Sequence, residues 1–445
     1  MKKIISILLC IMLMLGTCCF SASAVEGDED DMVYVLAIGN SYSNNAVEYL
    51  TPIMYGLGKK MSVVSLYDDG CSLERHVQWY KQNAEEYEFY LDGSNISAPN
   101  KNTMREVFEL YDYDYITIQQ GPGPATTFST YEPYLTELYN IIKKHEPQAK
   151  ILIHQTWSFC EYDALGNGPY WKVAYKSSLD MFERIESSYV KAANKIGLDP
   201  EKDIIPVGKA IQLAKDEYGF GDYYIDGNNL SRYDKCANGA IYNDSVDHLN
   251  ARGRYIAACV WAEKIFGVDC RNTTCAESGI FSDEETMVLR QIAHEVVTGE
   301  VQCVEGDWRA VPYKNSETQE EGVKLVHYMG EVPADGVVKV PEQWGGKNII
   351  AIDETAFKYV DGVKKIIMPN TVVDIEEKAL KKIESEYFSV SDKDNGKDKD
   401  NGKDNGKDNN GNLWIYIIIG AVVVIAGAIA FVLLKKKTAD KIKEK

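Results

Sequence analysis

The sequence predicts an α/β fold built on a parallel, doubly wound sheet with helices on both faces, followed by a small β-rich module and one transmembrane helix. Three observations predict it. Short apolar, β-branched runs alternate with helical stretches from Val33 to about Val268, as strands buried on both faces of a sheet do. A second rhythm, with a period of about twenty-three residues, sets in near Val340. An apolar run broken only by glycines, Leu413 to Leu434, then lies close to the end.

The chain opens with the charged Met1-Lys2-Lys3, an apolar run from Ile4 to Phe20, and small residues at Ser21-Ala22-Ser23-Ala24. Residues 1–24 therefore read as a secretory signal peptide. Thr17 before Cys18 and Cys18 before Cys19 fit a lipidation site poorly. The first strand candidate, Tyr34–Ile38, stops at Gly39-Asn40-Ser41, a turn that lifts one hydroxyl beyond the carboxyl end of the strand. Open α/β sheets keep their reactive groups in the crevice there. Ser41 is thus a candidate nucleophile, or alternatively the N-cap of a helix beginning near Asn45.

The next strand candidates are Ser62–Tyr67, Tyr115–Gln119, Lys150–His154 and Ile204–Val207. Helices are expected over Asn45–Leu57, Thr103–Leu110, Tyr131–His145, Ala174–Ile196, Gly208–Tyr218 and Ala251–Phe266. Ser282 followed by three acids predicts one more helix, running to Val297.

The formal net charge is −19, and no basic patch lies outside the two ends, which argues against a nucleic-acid partner. An acidic surface also disfavours polyanionic substrates and suits neutral glycans. Seven cysteines remain after the signal, with no CxxC pair or His/Cys cluster, so neither a metal nor a cofactor is expected. Cys270 and Cys275 are near enough in sequence to suggest a disulfide.

Within residues 320–388, Ile352 and Ile375 share one phase of the repeat, as do Ala356 and Ala379. These residues resemble the BspA-type leucine-rich repeat, which implies a short module docked on the domain before it and able to bind a surface ligand. Residues 391–412 are a Lys/Asp/Asn/Gly tract with no apolar residue to offset the entropy of ordering, and read as a solvated tether. Residues 413–434 are long enough to cross a hydrocarbon core of roughly 30 Å, and the lysine-rich tail 435–445 assigns itself to the cytoplasm. The expectation is a single-pass type I membrane protein with an extracellular head.

The second half of a reactive site is offered by Asn243-Asp-Ser-Val-Asp-His-Leu-Asn250, just ahead of the last helix of the sheet domain. Serine needs a neighbouring base to take its proton. His248 is that candidate, with Asp244 or Asp247 to fix its tautomer. The order, with the serine turn first and the histidine loop last, resembles the SGNH, or GDSL-like, hydrolase superfamily over roughly Val33 to Gly267, within a domain expected over residues 32–300. Gly39-Asn-Ser-Tyr-Ser43 resembles its first block, Gly70 its second-block glycine, and Gln119-Gln120 stands where its Gly-x-Asn-Asp is absent.

The resemblance implies a three-layer α/β/α, flavodoxin-like sandwich and ester hydrolysis through an acyl-enzyme. It implies an oxyanion hole made by the N–H groups of Ser41 and Gly70 with the Gln120 amide. Asn40, Gln119, His154 and Trp157, at the same strand ends, are candidates to touch substrate, although His154 also reads as a satisfied core histidine. The expected function is a cell-surface serine esterase that deacetylates a polysaccharide. An SGNH lipase or acyl-thioesterase, and a non-catalytic adhesin on a degenerate scaffold, are the alternatives.

Overall fold

A computed structural model of the chain describes residues 32–166, 174–221, 239–243, 247–275, 281–358, 360–376, 379–380 and 383–388. Contacts divide the chain into residues 1–390 and 391–445, and every described residue belongs to the first unit. Residues 1–24, 391–412, 413–434 and 435–445, expected to be a signal peptide, a tether, a membrane span and a basic tail, lie outside the described residues, as does Asp244. Among the described residues, no helix is long and apolar enough to cross a membrane.

The chain forms a mixed α/β fold around a seven-stranded sheet in the order β4-β3-β2-β1-β5-β6-β7. Its strands are β1 (Val33–Gly39), β2 (Met61–Tyr67), β3 (Glu88–Leu91), β4 (Ser94–Asn95), β5 (Tyr115–Ile118), β6 (Lys150–His154) and β7 (Ile204–Ile205). The five strands β2, β1, β5, β6 and β7 run parallel, and β3 and β4 add an antiparallel edge. Counted along the chain, the parallel strands follow the 2-1-3-4-5 order of flavodoxin-like sheets. Val35 through Ile38 have no exposed surface, as befits a central strand covered on both faces.

Strand order reverses direction at β1, so right-handed crossovers put successive helices on opposite faces. Helices α1 (Ser41–Val47) and α2 (Leu50–Gly56) pack against the last sheet-domain helix, and α3 (Leu73–Gln82) packs against α4 (Tyr134–His145). Then come α5 (Ser178–Lys195), α6 (Val207–Glu217), α7 (Ala251–Phe266) and α8 (Asp283–Thr298), with α8 packed on α7.

Three sequence expectations are corrected. The helix expected over Asn45–Leu57 is two short helices, because the chain turns at Glu48–Tyr49 and Pro52 begins afresh within the first turn of the second. Helix α3 and the β3–β4 hairpin were not foreseen; α3 opens on Ser72, whose hydroxyl accepts from the Arg75 N–H. Cys270 and Cys275 do not form the expected disulfide with each other. The Cys270 thiol faces the Cys259 carbonyl, while the Cys275 backbone is held by Thr273, Tyr255 and Arg290.

After α8 come β8 (Val304–Glu305), β9 (Trp308–Lys314), β10 (Glu321–Tyr328), β11 (Val337–Lys339), β12 (Gln343–Trp344), β13 (Lys347–Ile352), β14 (Lys365–Pro369), β15 (Asp374–Ile375) and β16 (Glu384–Phe388). Strands β10, β13 and β15 form one parallel run, and β11, β14 and β16 another. Ile352 pairs directly with Ile375, so residues that share a phase in sequence are neighbours in the ladder. Their own apolar cluster includes Trp308, Leu325, Ile349, Ala356 and Ala379. This region meets the sheet domain through Arg309, fully buried, which pairs with Glu217 of α6 and Glu295 of α8. Lys358 adds an ion pair to Asp216.

Candidate active site

Gly39 ends β1 where the chain passes very close to other side chains. A Cβ there would lie 2.2 Å from the Ser43 hydroxyl and 2.9 Å from the Gln119 side chain, so only glycine fits. Asn40 follows as the N-cap of α1, and its Oδ1 accepts from the Tyr42 N–H at 2.9 Å. The cap is therefore Asn40 and not Ser41. Ser41 is the first residue of the helix, and its side chain is free to face outward.

The histidine arrives from the loop before α7. The Ser41 hydroxyl and His248 Nε2 are 2.7 Å apart. On the other side of the ring, His248 Nδ1 lies 2.8 Å from Asp247 Oδ1. Hydroxyl, imidazole and carboxylate form one continuous chain, with the Nδ1–H donating to Asp247 and the Nε2 lone pair facing Ser41. The side chains of His248 and Asp247 are 24 % and 10 % exposed, so the row is reachable from solvent but shielded from it.

Two contacts hold that loop against α1. Asn45 Oδ1 accepts from the Leu249 N–H at 3.0 Å, and the Trp157 indole N–H donates to the Asp247 carbonyl at 2.8 Å. The Trp157 ring also stacks on Tyr42, with centroids 4.2 Å apart. The residue after the serine and the residue before the histidine are thus clamped by one side chain.

Gly70 has φ +58, in the left-handed region, and open space where a side chain would stand. Among the described residues, neither the Ser41 N–H nor the Gly70 N–H donates to another group of the chain.

The four residues expected to touch substrate are placed differently. Asn40, Gln119 and Trp157 are each 1 % exposed and His154 is 0 % exposed. They form a sealed layer behind the serine. Gln119 Nε2 donates to Asn40 Oδ1 at 2.7 Å, and Gln119 Oε1 accepts from the Ser43 hydroxyl at 2.8 Å and from His154 Nδ1 at 2.9 Å. Asn40 Nδ2 donates to the Cys71 carbonyl at 3.0 Å. The Asn40 amide therefore ties the serine turn to the Gly70–Cys71 loop. A carboxylate there could not donate to Cys71. Burial pushes the His154 imidazole down to about 3, so it stays neutral.

Gln120 is also corrected. Its Oε1 accepts from the N–H groups of Leu73 and Gly121, and its Nε2 donates to the Thr130 carbonyl and hydroxyl. Gln119 and Gln120 point to opposite sides because successive residues of an extended chain alternate. Gln120 anchors the starts of α3 and the following loop, and its donors are spent there. Three of the supporting contacts, from Asn45, Trp157 and the Asn40 amide, had no signal in the sequence beyond the residue types.

Comparison with known proteins follows the same region. Residues 34–296 match the family described as "Domain of unknown function (DUF4886)". No curated protein matches the chain. Among solved structures, a DUF4886 family protein from Bacteroides uniformis is 28 % identical, with a TM-score of 0.50, over 60 % of this chain and 96 % of that one. A candidate SGNH hydrolase from Slackia heliotrinireducens is 17 % identical, with a TM-score of 0.34, over 53 % and 99 %. A candidate GDSL-like lipase from Parabacteroides merdae is 15 % identical, with a TM-score of 0.31, over 52 % and 94 %.

Proposed function

The chain belongs to the DUF4886 family, and from the site built within that domain we propose that it is a serine esterase of the SGNH type. The observation that carries this reading is the unbroken row Ser41 Oγ, His248 Nε2 at 2.7 Å, and Asp247 at 2.8 Å from His248 Nδ1.

In the proposed mechanism the Ser41 oxygen attacks an ester carbonyl carbon while His248 Nε2 takes its proton. Asp247 holds the ring in the tautomer that has Nδ1–H and stabilises the imidazolium that forms. The N–H groups of Ser41 and Gly70 receive the negative charge that develops on the carbonyl oxygen, each such donor lowering the barrier by about 3 kcal/mol. His248 then protonates the departing alcohol. Water, activated by the same nitrogen, releases the acid and restores Ser41.

The substrate proposed is an acetyl ester on a neutral polysaccharide met outside the cell. The acidic chain, the signal-like residues 1–24 and the span-like residues 413–434 support an anchored, outward-facing enzyme. The repeat region 320–388 is the part proposed to touch a surface ligand.

Hydrolysis of p-nitrophenyl acetate by the wild type and Ser41→Ala tests the reaction. The variant is expected to lose activity by about 10⁴-fold or more. Undiminished turnover would remove the mechanism. Release of acetate from acetylated glycans tests the substrate, and a preference for long acyl chains would replace it with a lipase-like one.

A further inference from the structure

At the far end of α7 from His248, a second cluster of ionisable groups takes no part in this chemistry. We propose that Glu263, Asp269 and His294 form a site for one divalent cation that accepts nitrogen and oxygen ligands, with zinc as the best fit. Glu263 lies twelve residues beyond Ala251, so the cluster sits about 18 Å along the helix from the reactive row at 1.5 Å per residue. Its role would be to join the C-terminal ends of α7 and α8 to the turn between them.

The ligand atoms converge from three separate elements. One ligand atom from each residue lies within 4.8 Å of the others. His294 Nδ1 is 3.1 Å from Glu263 Oε2 and 3.6 Å from Asp269 Oδ1. Ligands about 2.1 Å from a tetrahedral zinc are about 3.4 Å from one another, and these two separations bracket that value. The shorter one is also a hydrogen-bond distance, while the longer one exceeds it.

The surroundings are those of a braced ligand set. His294 Nε2 faces Glu300 Oε2 at 3.3 Å. A carboxylate on the far nitrogen is the usual partner of a metal-bound histidine, because it fixes the tautomer whose other nitrogen carries the lone pair. With the proton on Nε2, Nδ1 would present its lone pair to the two carboxylates, and a bound cation would take the place of the Nδ1–Glu263 hydrogen bond. Glu263 Oε1 accepts from the Cys270 N–H at 2.9 Å and lies 3.4 Å from His294 Nδ1, while Oε2 is the nearer oxygen to that nitrogen. Asp269 is braced by Arg271, through its backbone N–H and its guanidinium.

The charge balance points the same way. Three carboxylates meet one imidazole and one guanidinium, while the side chains of Glu263 and His294 are 2 % and 8 % exposed.

The test uses the full-length chain, stripped with a chelator and then titrated with zinc chloride or cobalt chloride. The expected result is one zinc per folded chain, a rise in Tm of several degrees, and a cobalt spectrum of tetrahedral N/O coordination. His294→Gln is expected to weaken zinc binding by at least 100-fold, and Glu300→Gln by about 10- to 100-fold. Ser41→Ala should bind as the wild type does. Wild-type protein that stays metal-free at 10-fold excess zinc overturns the proposal, as does equal binding by His294→Gln. A cobalt spectrum with thiolate charge-transfer bands overturns the ligand set, because Cys259 and Cys270 lie beside Glu263. The cobalt spectrum of the wild type decides the matter even if His294→Gln fails to fold.

Discussion

The row Ser41–His248–Asp247 and the row Asn40–Gln119–His154 stand one behind the other past the ends of the same parallel strands. Their residue types are alike, yet the first is partly open and the second is sealed. A side chain in the open row can exchange protons with a substrate. One in the sealed row can act only by holding its neighbours, and every hydrogen bond it loses is lost in a place water cannot repair. Depth, more than chemistry, divides the reactive from the supporting. Substitutions in the two rows should therefore fail in different ways.

The largest expected effect is in the open row. His248→Gln should lower kcat for acetyl ester hydrolysis by about 10⁵- to 10⁶-fold while the urea midpoint stays near the wild-type value. Asp247→Asn keeps the shape but favours the wrong tautomer, and should lower kcat by about 10³- to 10⁴-fold. Both are read from steady-state rates beside an unfolding curve. If Asp247→Asn left kcat intact, an acid outside the described residues, Asp244 above all, would have to orient the ring.

The sealed row should respond in stability first. Asn40→Asp replaces the donor to the Cys71 carbonyl with an acceptor. The expected cost is about 1–3 kcal/mol of unfolding free energy, with a fall in kcat as the Gly70 loop loses its tether. Denaturant unfolding and kcat are measured on the same preparation. A variant as stable as the wild type would mean that the loop is held by other contacts.

Trp157 touches a member of each row and should show a smaller, mixed effect. Trp157→Phe keeps an aromatic ring against Tyr42 but removes the donor to the Asp247 carbonyl. One lost hydrogen bond of about 1 kcal/mol corresponds to about a fivefold fall in kcat. The drop should appear in kcat and leave KM nearly unchanged, since the residue does not reach the surface.

What could be read from the sequence follows the same division. The strands were legible because a buried parallel strand is a continuous apolar run: Lys150–His154 was expected and is found with those bounds. Helix α7 likewise begins and ends at Ala251 and Phe266, between an Asn cap and a glycine. Ser41 and His248 could be singled out because strand ends and the loop before a final helix are visible in one dimension. Depth is not. The strand-end position that placed Gln119, His154 and Trp157 near the site did not say that they lie beneath it. Nor could two acids within a few residues of His248 be told apart, since loop torsions decide which carboxylate turns toward Nδ1. The Glu263–Asp269–His294 cluster left no trace either, because its members come from three elements and match no local metal-binding spacing.

The last contrast concerns protons. His154 is held neutral by burial, its imidazole depressed to about 3, and His76 on α3 is depressed to about 3 for the same reason. In the unfolded chain both rings return to about 6.5. Between these values the unfolded state binds more protons than the folded one, so stability rises with pH there and is lost as pH falls from about 6.5 toward 3. Each ring contributes a slope of up to about 1.4 kcal/mol per pH unit. His154→Gln keeps a donor for Gln119 but cannot titrate, so it should remove about half of the part of the slope due to these two rings. The change at pH 7, where the ring is mostly uncharged in both states, should be small. Urea unfolding at a series of pH values checks this. If the slope were unchanged in the variant, His154 would not be sealed, and the distinction between the two rows would fail at its most buried member.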